Sequence, residues 1–378
     1  MTARSGGARM TRYQMGFILE QALGHVTYAQ NLQANIQDPE VEVHWALIPF
    51  AARGLASHLP LYRSNWTLRA GLRARRALAR LARQAPLEAL FFHTQVPAIL
   101  AADWLGRLPG VVSLDATPLQ YDELGGFYGH GRGNPWAEAA KWRLARHCFR
   151  AARRLVTWSE WARQGLIGGY GVPADKITVI PPGVDVRAWA RPQPRREHDG
   201  PCRILFVGGD LERKGGLLLL EAFRALRPLG VELHLVTRGT VPAQEGLYVY
   251  RDMEPNSGTL RALYHACDVF CLPTYGDCLP MVLSEAGAAG LPCVSTRVAG
   301  IPEIVREGET GFLTPAGDAS ALTAALRRLV EDPALRLRQG ARAVEVVAAD
   351  FSAERNAQRL VDLLKEVASE GRATRRPG

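Results

Sequence analysis

Short apolar runs alternate with longer stretches of helical spacing, in two successive blocks, and this alternation limits what the chain can fold into. In the first block, runs at 15–19, 43–48, 89–92, 111–114 and 155–157 have the length and composition of buried parallel strands. Stretches rich in Ala, Leu and Arg separate them. Residues 179–180 lead into Pro181-Pro182-Gly183-Val184-Asp185, and a polar, proline-bearing stretch at 191–201 reads as an interdomain linker. In the second block, strands at 203–207, 232–236, 269–272 and 293–295 alternate with helices at 215–226, 260–266 and 281–289. Helices at 320–331, 334–347 and 353–368 follow, and then a frayed basic tail at 372–378. Such alternation predicts α/β architecture with doubly wound sheets. At roughly 100–200 residues per domain, 378 residues allow two domains. The expected division is 1–190, a linker at 191–201, 202–350, and a C-terminal helix and tail at 351–378 whose return to the first domain is left open.

Composition narrows the class further. With 47% hydrophobic and 22% charged residues the chain can bury a real core. A formal net charge of +9 attracts anions: nucleic acid, phosphorylated ligands or an acidic membrane surface. Nucleic-acid binding is not expected, because no recognised binding module accompanies the charge. The six cysteines form no CxxC pair and are expected to be reduced core thiols, not zinc ligands. The basic start MTARSGGARM is followed by an apolar run too short for a signal peptide, and no stretch approaches the ~20 apolar residues of a spanning helix. A cytoplasmic protein is expected.

The densest chemical signal is Pro273-Thr274-Tyr275-Gly276-Asp277-Cys278-Leu279-Pro280-Met281, running on to Glu285. A strand stops, a turn-rich loop carries an acid, and a helix begins near Pro280, an acceptable first-turn position. A helix start offers unpaired N–H groups and partial positive charge, a cradle for phosphate. A carboxylate can accept from two neighbouring hydroxyls, so one acid can hold a sugar and the other a ribose. On these residues alone, Asp277 reads equally as an ordinary helix-start acid and Glu285 as a solvated one. The second signal is Gly208-Gly209-Asp210-Leu211-Glu212-Arg213-Lys214-Gly215, between a strand and a helix. Its glycines permit close backbone approach, and its cations stand at the carboxyl edge of the sheet, where such folds bind ligands. It is neither a Walker loop nor a GxGxxG fingerprint.

From Cys202 to about Leu363 the chain resembles the donor domain of retaining glycosyltransferases of the GT-B fold, family GT4. The matching features run in order. First come the Gly-Gly…Arg213-Lys214-Gly215 loop, Ala266-Cys267-Asp268-Val269, Pro273-Thr274, and Asp277 with Glu285 eight residues on. Gly290-Leu291-Pro292-Cys293-Val294, Gly300-Ile301-Pro302-Glu303-Ile304-Val305 and Gly308-Glu309-Thr310-Gly311-Phe312-Leu313 follow. The first half resembles the acceptor domain more loosely, through Gly24-His25 and the 180–185 motif. The resemblance implies two Rossmann-like domains facing each other across a cleft. It also implies a nucleotide-sugar donor, a glycan or lipid-linked acceptor, and no metal or other cofactor. Arg213 and Lys214 would neutralise the donor diphosphate, with Gly208 and Gly209 beside it and the amides of Leu279 and Met281 helping. Glu285 would bind the ribose and Asp277 the transferred sugar. Gly24 would let backbone approach the phosphates or acceptor. In the family's usual course the acceptor attacks from the side the nucleotide leaves, and a phosphate oxygen takes its proton. The resemblance would then place the protein in cell-surface polysaccharide or glycolipid synthesis.

Two positions depart from the family. Asp277 stands where Glu is usual, and Val111-Val112-Ser113-Leu114 runs into Asp115 where His is frequent. In that place Asp115 could bond a donor hydroxyl or accept the acceptor's proton. His93 and His25 are further acceptor-side candidates, although a lone His at a strand end more often bonds locally. The loop at 250–255 is the expected place for base recognition. These departures keep a second reading open, a non-catalytic nucleotide-sugar binder. An NAD-dependent enzyme lacks its glycine fingerprint in both halves.

Two Arg-rich stretches, 66–84 and 137–154, carry leucines or tryptophans at roughly helical intervals. They suit peripheral contact with the anionic inner face of the cytoplasmic membrane, at about 1 kcal/mol per charge. Solvated faces with an Arg-for-Lys bias account for them slightly better.

Overall fold

A computed structural model describes residues 12–22, 24–51, 60–127 and 133–375. The N-terminal MTARSGGARM and the last residues of the basic tail, 376–378, lie outside the described residues. Six strands form the first sheet: β1 Tyr13–Gln21, β2 Val41–Pro49, β3 Ala89–Phe92, β4 Gly110–Leu114, β5 Arg154–Thr157 and β6 Ile177–Val179. Six more form the second: β7 Cys202–Val207, β8 Val231–Val236, β9 Leu247–Tyr250, β10 Val269–Leu272, β11 Cys293–Thr296 and β12 Gly311–Thr314. Their orders are β2-β1-β3-β4-β5-β6 and β12-β11-β10-β7-β8-β9, with parallel pairing throughout. This is α/β architecture of two doubly wound sheets. The chain reverses direction of winding between β1 and β3, and again between β7 and β10. At such switch points the loops diverge and leave a crevice at the carboxyl ends of the strands.

The apolar runs form strands because both faces of each sheet are covered: β3, β4 and β10 are buried along their whole length. Three strands were not legible in the sequence. β6 is three residues long and mostly half-buried, β9 is only partly buried, and β12 is a four-residue strand opening on glycine, so none produces a continuous apolar run.

The expected frayed tail from Arg372 is corrected by the structure. The last helix runs from Ala353 to Arg375 and packs on the first sheet. Leu360, Val361, Leu364 and Val367 are fully buried or nearly so, each contributing about 1.5–3 kcal/mol. Arg372 is tied to Glu88 at 2.6 and 2.8 Å, and Lys365 to Asp38 and Glu40 at 2.6 and 2.8 Å. The chain therefore crosses between the sheets twice, and the crossings touch. Val184 N donates to Phe351 O at 2.8 Å and Ala353 N to Val184 O at 2.9 Å. A Cβ on Gly183 would lie 2.3 Å from Ala353 N, so the Pro-Pro-Gly-Val-Asp motif owes its glycine to this crossing. The 191–201 stretch has no regular structure, yet Arg195 anchors it by donating to the carbonyl of Cys267 and, at 2.9 Å, to that of Tyr264.

All six cysteines are buried and unbridged. Of the Arg-rich stretches, Trp66–Gln84 is one helix, started by Asn65 accepting from Leu68 N at 2.9 Å. Its Arg69 is buried against the carbonyls of Tyr62 and Arg63, and Arg75 pairs with Asp103. The second stretch is helical over Pro135–Ala151, and Arg154 belongs to β5. Among the described residues no helix is long and apolar enough to cross a membrane.

Candidate active site

After β7 the ladder continues for one residue, Gly208 N donating to Val236 O at 2.9 Å, before the chain turns through 209–215. Gly215 adopts φ +75°, and a Cβ there would lie 1.9 Å from the carbonyl oxygen of Pro273. Only glycine tolerates both conditions. That close approach locks the β7 loop against the β10 loop. Tyr275 N donates to Arg213 O at 3.0 Å, and the Arg213 guanidinium donates to Gly276 O at 2.8 Å. Lys214 forms an ion pair with Asp277, and both side chains are largely buried. Two motifs some sixty positions apart thus become one charged cluster at the β7/β10 switch point.

The cations divide their work. Arg213 also pairs with Asp210 at 3.3 Å, so its contacts include braces on both sides of the loop. Lys214 neutralises Asp277, a local contact that the sequence did not indicate. A further cation was missed altogether. Arg238 follows β8 and is exposed, and its guanidinium lies 3.0–3.3 Å from where a Cβ on Gly209 would stand. Its position in the chain, one residue past Thr237 at a strand's carboxyl end, was the available signal. Gly208 is hemmed in by Phe206 and Lys214, with a Cβ there meeting them at 2.8 and 3.1 Å.

The helix after β10 starts at Met281, where the sequence placed it, with Pro280 at its cap and no side chain capping it. Leu279 is buried just before it, and Met281 opens the first turn. Glu285 is not the solvated acid that the residues alone allowed: it is 5% exposed, accepting a hydrogen bond from the Tyr264 hydroxyl at 3.1 Å. Burial pushes its carboxyl up to about 7, with the Tyr264 bond opposing the rise. Tyr264 in turn stacks on Phe270 and meets Trp189 edge-on. The expected base-recognition loop opens at Tyr250, whose hydroxyl lies 2.9 Å from His234 Nδ1.

On the acceptor side, Gly24 caps the helix His25–Asn35, and a Cβ there would meet nothing within 4 Å. The protein's own packing does not require a glycine at that point. His25, His93, Tyr28 and Trp158 form a ring cluster at the ends of β1, β3 and β5, with the two histidine centroids 5.0 Å apart. His93 is fully buried, with the Glu20 backbone beside its ring. Burial, then the neighbouring His25, holds it well below the usual histidine range and therefore neutral at pH 7.

Asp115 joins the halves. Its Oδ1 accepts from Ala116 N at 2.9 Å and its Oδ2 from the Tyr121 hydroxyl at 2.5 Å. The Cys278 thiol, next to Asp277, faces Asp115 and Tyr121. Burial, then the charges of Asp115 and Asp277, raises that thiol well above its ordinary range. Close by, the Glu303 carboxylate accepts from the backbone of Glu160 at 2.8 Å and Trp161 at 3.0 Å. The second domain thereby caps the start of the first domain's helix Glu160–Tyr170. A Cβ on Gly300 would come within 3.0 Å of Ser159. The Gly-Ile-Pro-Glu motif is thus a clasp between domains.

Two doubly wound domains meeting with their switch points across a cleft define the GT-B class of fold. The chain belongs to family 4 of the glycosyltransferases. The profile of Glycosyltransferase Family 4 matches residues 24–188 and that of Glycosyl transferases group 1 matches 201–332, together more than three quarters of the chain. A D-inositol 3-phosphate glycosyltransferase of Pseudarthrobacter chlorophenolicus is 30% identical over 211 residues, 50% of either chain. A glycogen synthase of Mycobacterium tuberculosis is 29% identical over 242 residues, 58% of this chain and 57% of its own. The chain thus spans about half the length of the curated relatives it matches. Among solved structures, sucrose-phosphate synthase from Thermosynechococcus elongatus superposes with a TM-score of 0.74 at 16% identity, over 95% of this chain and 100% of that one. Anabaena Alr3699/HepE in complex with UDP-glucose gives 0.66 at 16%, over 93% and 99%.

Proposed function

We propose that the protein is a retaining glycosyltransferase that moves a sugar from a nucleotide-sugar to a glycan or lipid-linked acceptor in cell-surface polysaccharide or glycolipid synthesis. One observation carries this reading: Lys214 and Asp277 pair at the second domain's switch point, beside Cys278, which faces Asp115 of the first. The donor diphosphate binds against Lys214, Arg238 and the start of the Met281–Ala288 helix, and Asp277 turns to the sugar hydroxyls. Breaking the sugar–phosphate bond builds negative charge on the departing nucleotide. Cations and amides already aimed there stabilise that charge more in the transition state than in the ground state. They supply this without a metal ion. Glu285 takes the ribose diol as an ionised carboxylate, so donor binding draws it away from its proton. The acceptor enters beside Asp115 and the His25–His93 cluster, where His25 Nδ1, without a partner in the fold, suits a hydroxyl group. It attacks from the face the nucleotide leaves.

Support also comes from what similar proteins are named for: a glycogen synthase, a structure holding UDP-glucose, and WaaG, a glycosyltransferase involved in lipopolysaccharide biosynthesis. Asp115, in the family's histidine position, favours one competing reading, a binder without turnover. The test is a thermal-shift screen of UDP-, GDP-, ADP- and TDP-sugars, followed by hydrolysis and transfer assays with the donor that raises the melting temperature. Slow hydrolysis without acceptor, lost in Lys214→Ala and Glu285→Ala, supports the enzyme. Binding with no turnover against any acceptor pool supports the binder, and full transfer by both variants removes the site assignment.

A further inference from the structure

The first domain carries a second basic cavity, which the proposed reaction does not use. It is an open pocket of about 710 Å³ at the amino-terminal edge of the first sheet, among the starts of β4 and β5, the turn before β6 and the last turns of the C-terminal helix. The donor cleft lies at the opposite ends of the strands. Five-residue β4 alone, at ~3.3 Å per residue, puts the two roughly 15 Å apart. Five cationic side chains line the cavity, Arg107, Arg150, Arg153, Arg154 and Lys176, against two carboxylates, Asp175 and Glu370.

Glu370 is shared: it accepts from Arg153 at 2.5 Å and from Arg154 at 2.9 Å. The Lys176 ammonium donates to a carbonyl, that of Arg150, at 2.8 Å. Burial, and then Arg153, Arg154 and Arg150, holds that ammonium below its ordinary range. The arginine charges add to what burial does, so the field at Lys176 is positive even though Arg154 also pairs with Glu366 at 3.3 Å and Arg107 with Asp103 at 3.7 Å. Arginine forks in such a field match the oxygens of a phosphate group bidentately.

We infer that this cavity binds a phosphate-bearing anion, which replaces Glu370 on Arg153 and Arg154. The exchange trades one carboxylate for a group of higher charge with more acceptor oxygens. It also takes place where the last turns of the crossing helix are pinned to the first domain.

The test uses calorimetry with inorganic pyrophosphate on the full chain carrying Lys214→Ala, which weakens the donor site. Pyrophosphate should bind there. Glu370→Gln, by removing the competing carboxylate, should tighten binding by about tenfold. Arg154→Gln with Lys176→Gln should weaken it by at least about tenfold. With Lys214 restored, neither change should alter donor hydrolysis. The source of the phosphate is read by sedimentation with phosphatidylglycerol–phosphatidylcholine vesicles. Co-sedimentation that depends on Arg154 and Lys176 identifies a lipid headgroup, and pyrophosphate binding alone identifies a soluble ligand. The inference falls if the Lys214→Ala protein binds neither probe, or if the Arg154/Lys176 variant binds as before. Should that variant melt early, Glu370→Gln decides: unchanged or weaker pyrophosphate binding overturns the proposal. This experiment is independent of turnover, so a failed transferase assay leaves its outcome intact.

Discussion

Replacing Glu285 by glutamine separates what this side chain does for folding from what it does for the donor. Its carboxyl stands at about 7 in the fold against an ordinary 4.5, raised by burial. Between those values the folded chain holds a proton that the unfolded chain has released. Stability therefore falls as pH rises from 4.5 to 7, and is level outside that window. At about 1.36 kcal/mol per pH unit the full loss is about 3 kcal/mol. Glutamine keeps a carbonyl for the Tyr264 hydroxyl and has nothing to ionise. The Glu285→Gln protein should therefore be the more stable one at pH 8, with the gap closing towards pH 5. For a domain of this size the widening amounts to roughly 5–10 °C in melting temperature. Calorimetric scans at several pH values read it directly. The same variant should bind donor more weakly, because a neutral amide cannot accept from both ribose hydroxyls. Melting curves that stay parallel from pH 5 to pH 8 would refute the reasoning, since a buried carboxyl that ionises freely in the fold cannot have a raised pKa.

Four further outcomes are expected. Lys214→Ala should lower donor hydrolysis by about 10²–10³, the typical loss for one preorganised donor to developing charge; steady-state kinetics within tenfold of the parent would place the diphosphate elsewhere. Gly215→Ala meets a positive φ and the Pro273 carbonyl together. It should destabilise the second domain by more than the ~1–3 kcal/mol of backbone strain alone, and an unchanged thermal transition would contradict the loop packing. Glu303→Ala removes the acceptor for two amides across the cleft, worth about 1–2 kcal/mol to the closed arrangement. Small-angle scattering should show a larger radius of gyration, and an identical profile would deny the clasp. Chelation by EDTA should leave transfer unaffected if cationic side chains do the work proposed for them; activity that vanishes and returns with a divalent ion would disprove it.

What the sequence determined on its own was local. Period and apolar runs located nine of the twelve strands to within a few residues, because each strand that is covered on both faces must be apolar along its length. β6, β9 and β12 escaped because partial burial and shortness leave no such run. The donor loops were legible as motifs, since a phosphate cradle needs glycine and cations at a strand end. Tertiary structure decided the rest, because burial and pairing depend on residues far apart in the chain. It paired Lys214 with Asp277, raised Glu285 by enclosing it, brought Asp115 against Cys278, and carried the last helix on to Arg375, packed on the opposite domain. A residue's spacing says which face it occupies; only the packed neighbours fix the charge it carries there.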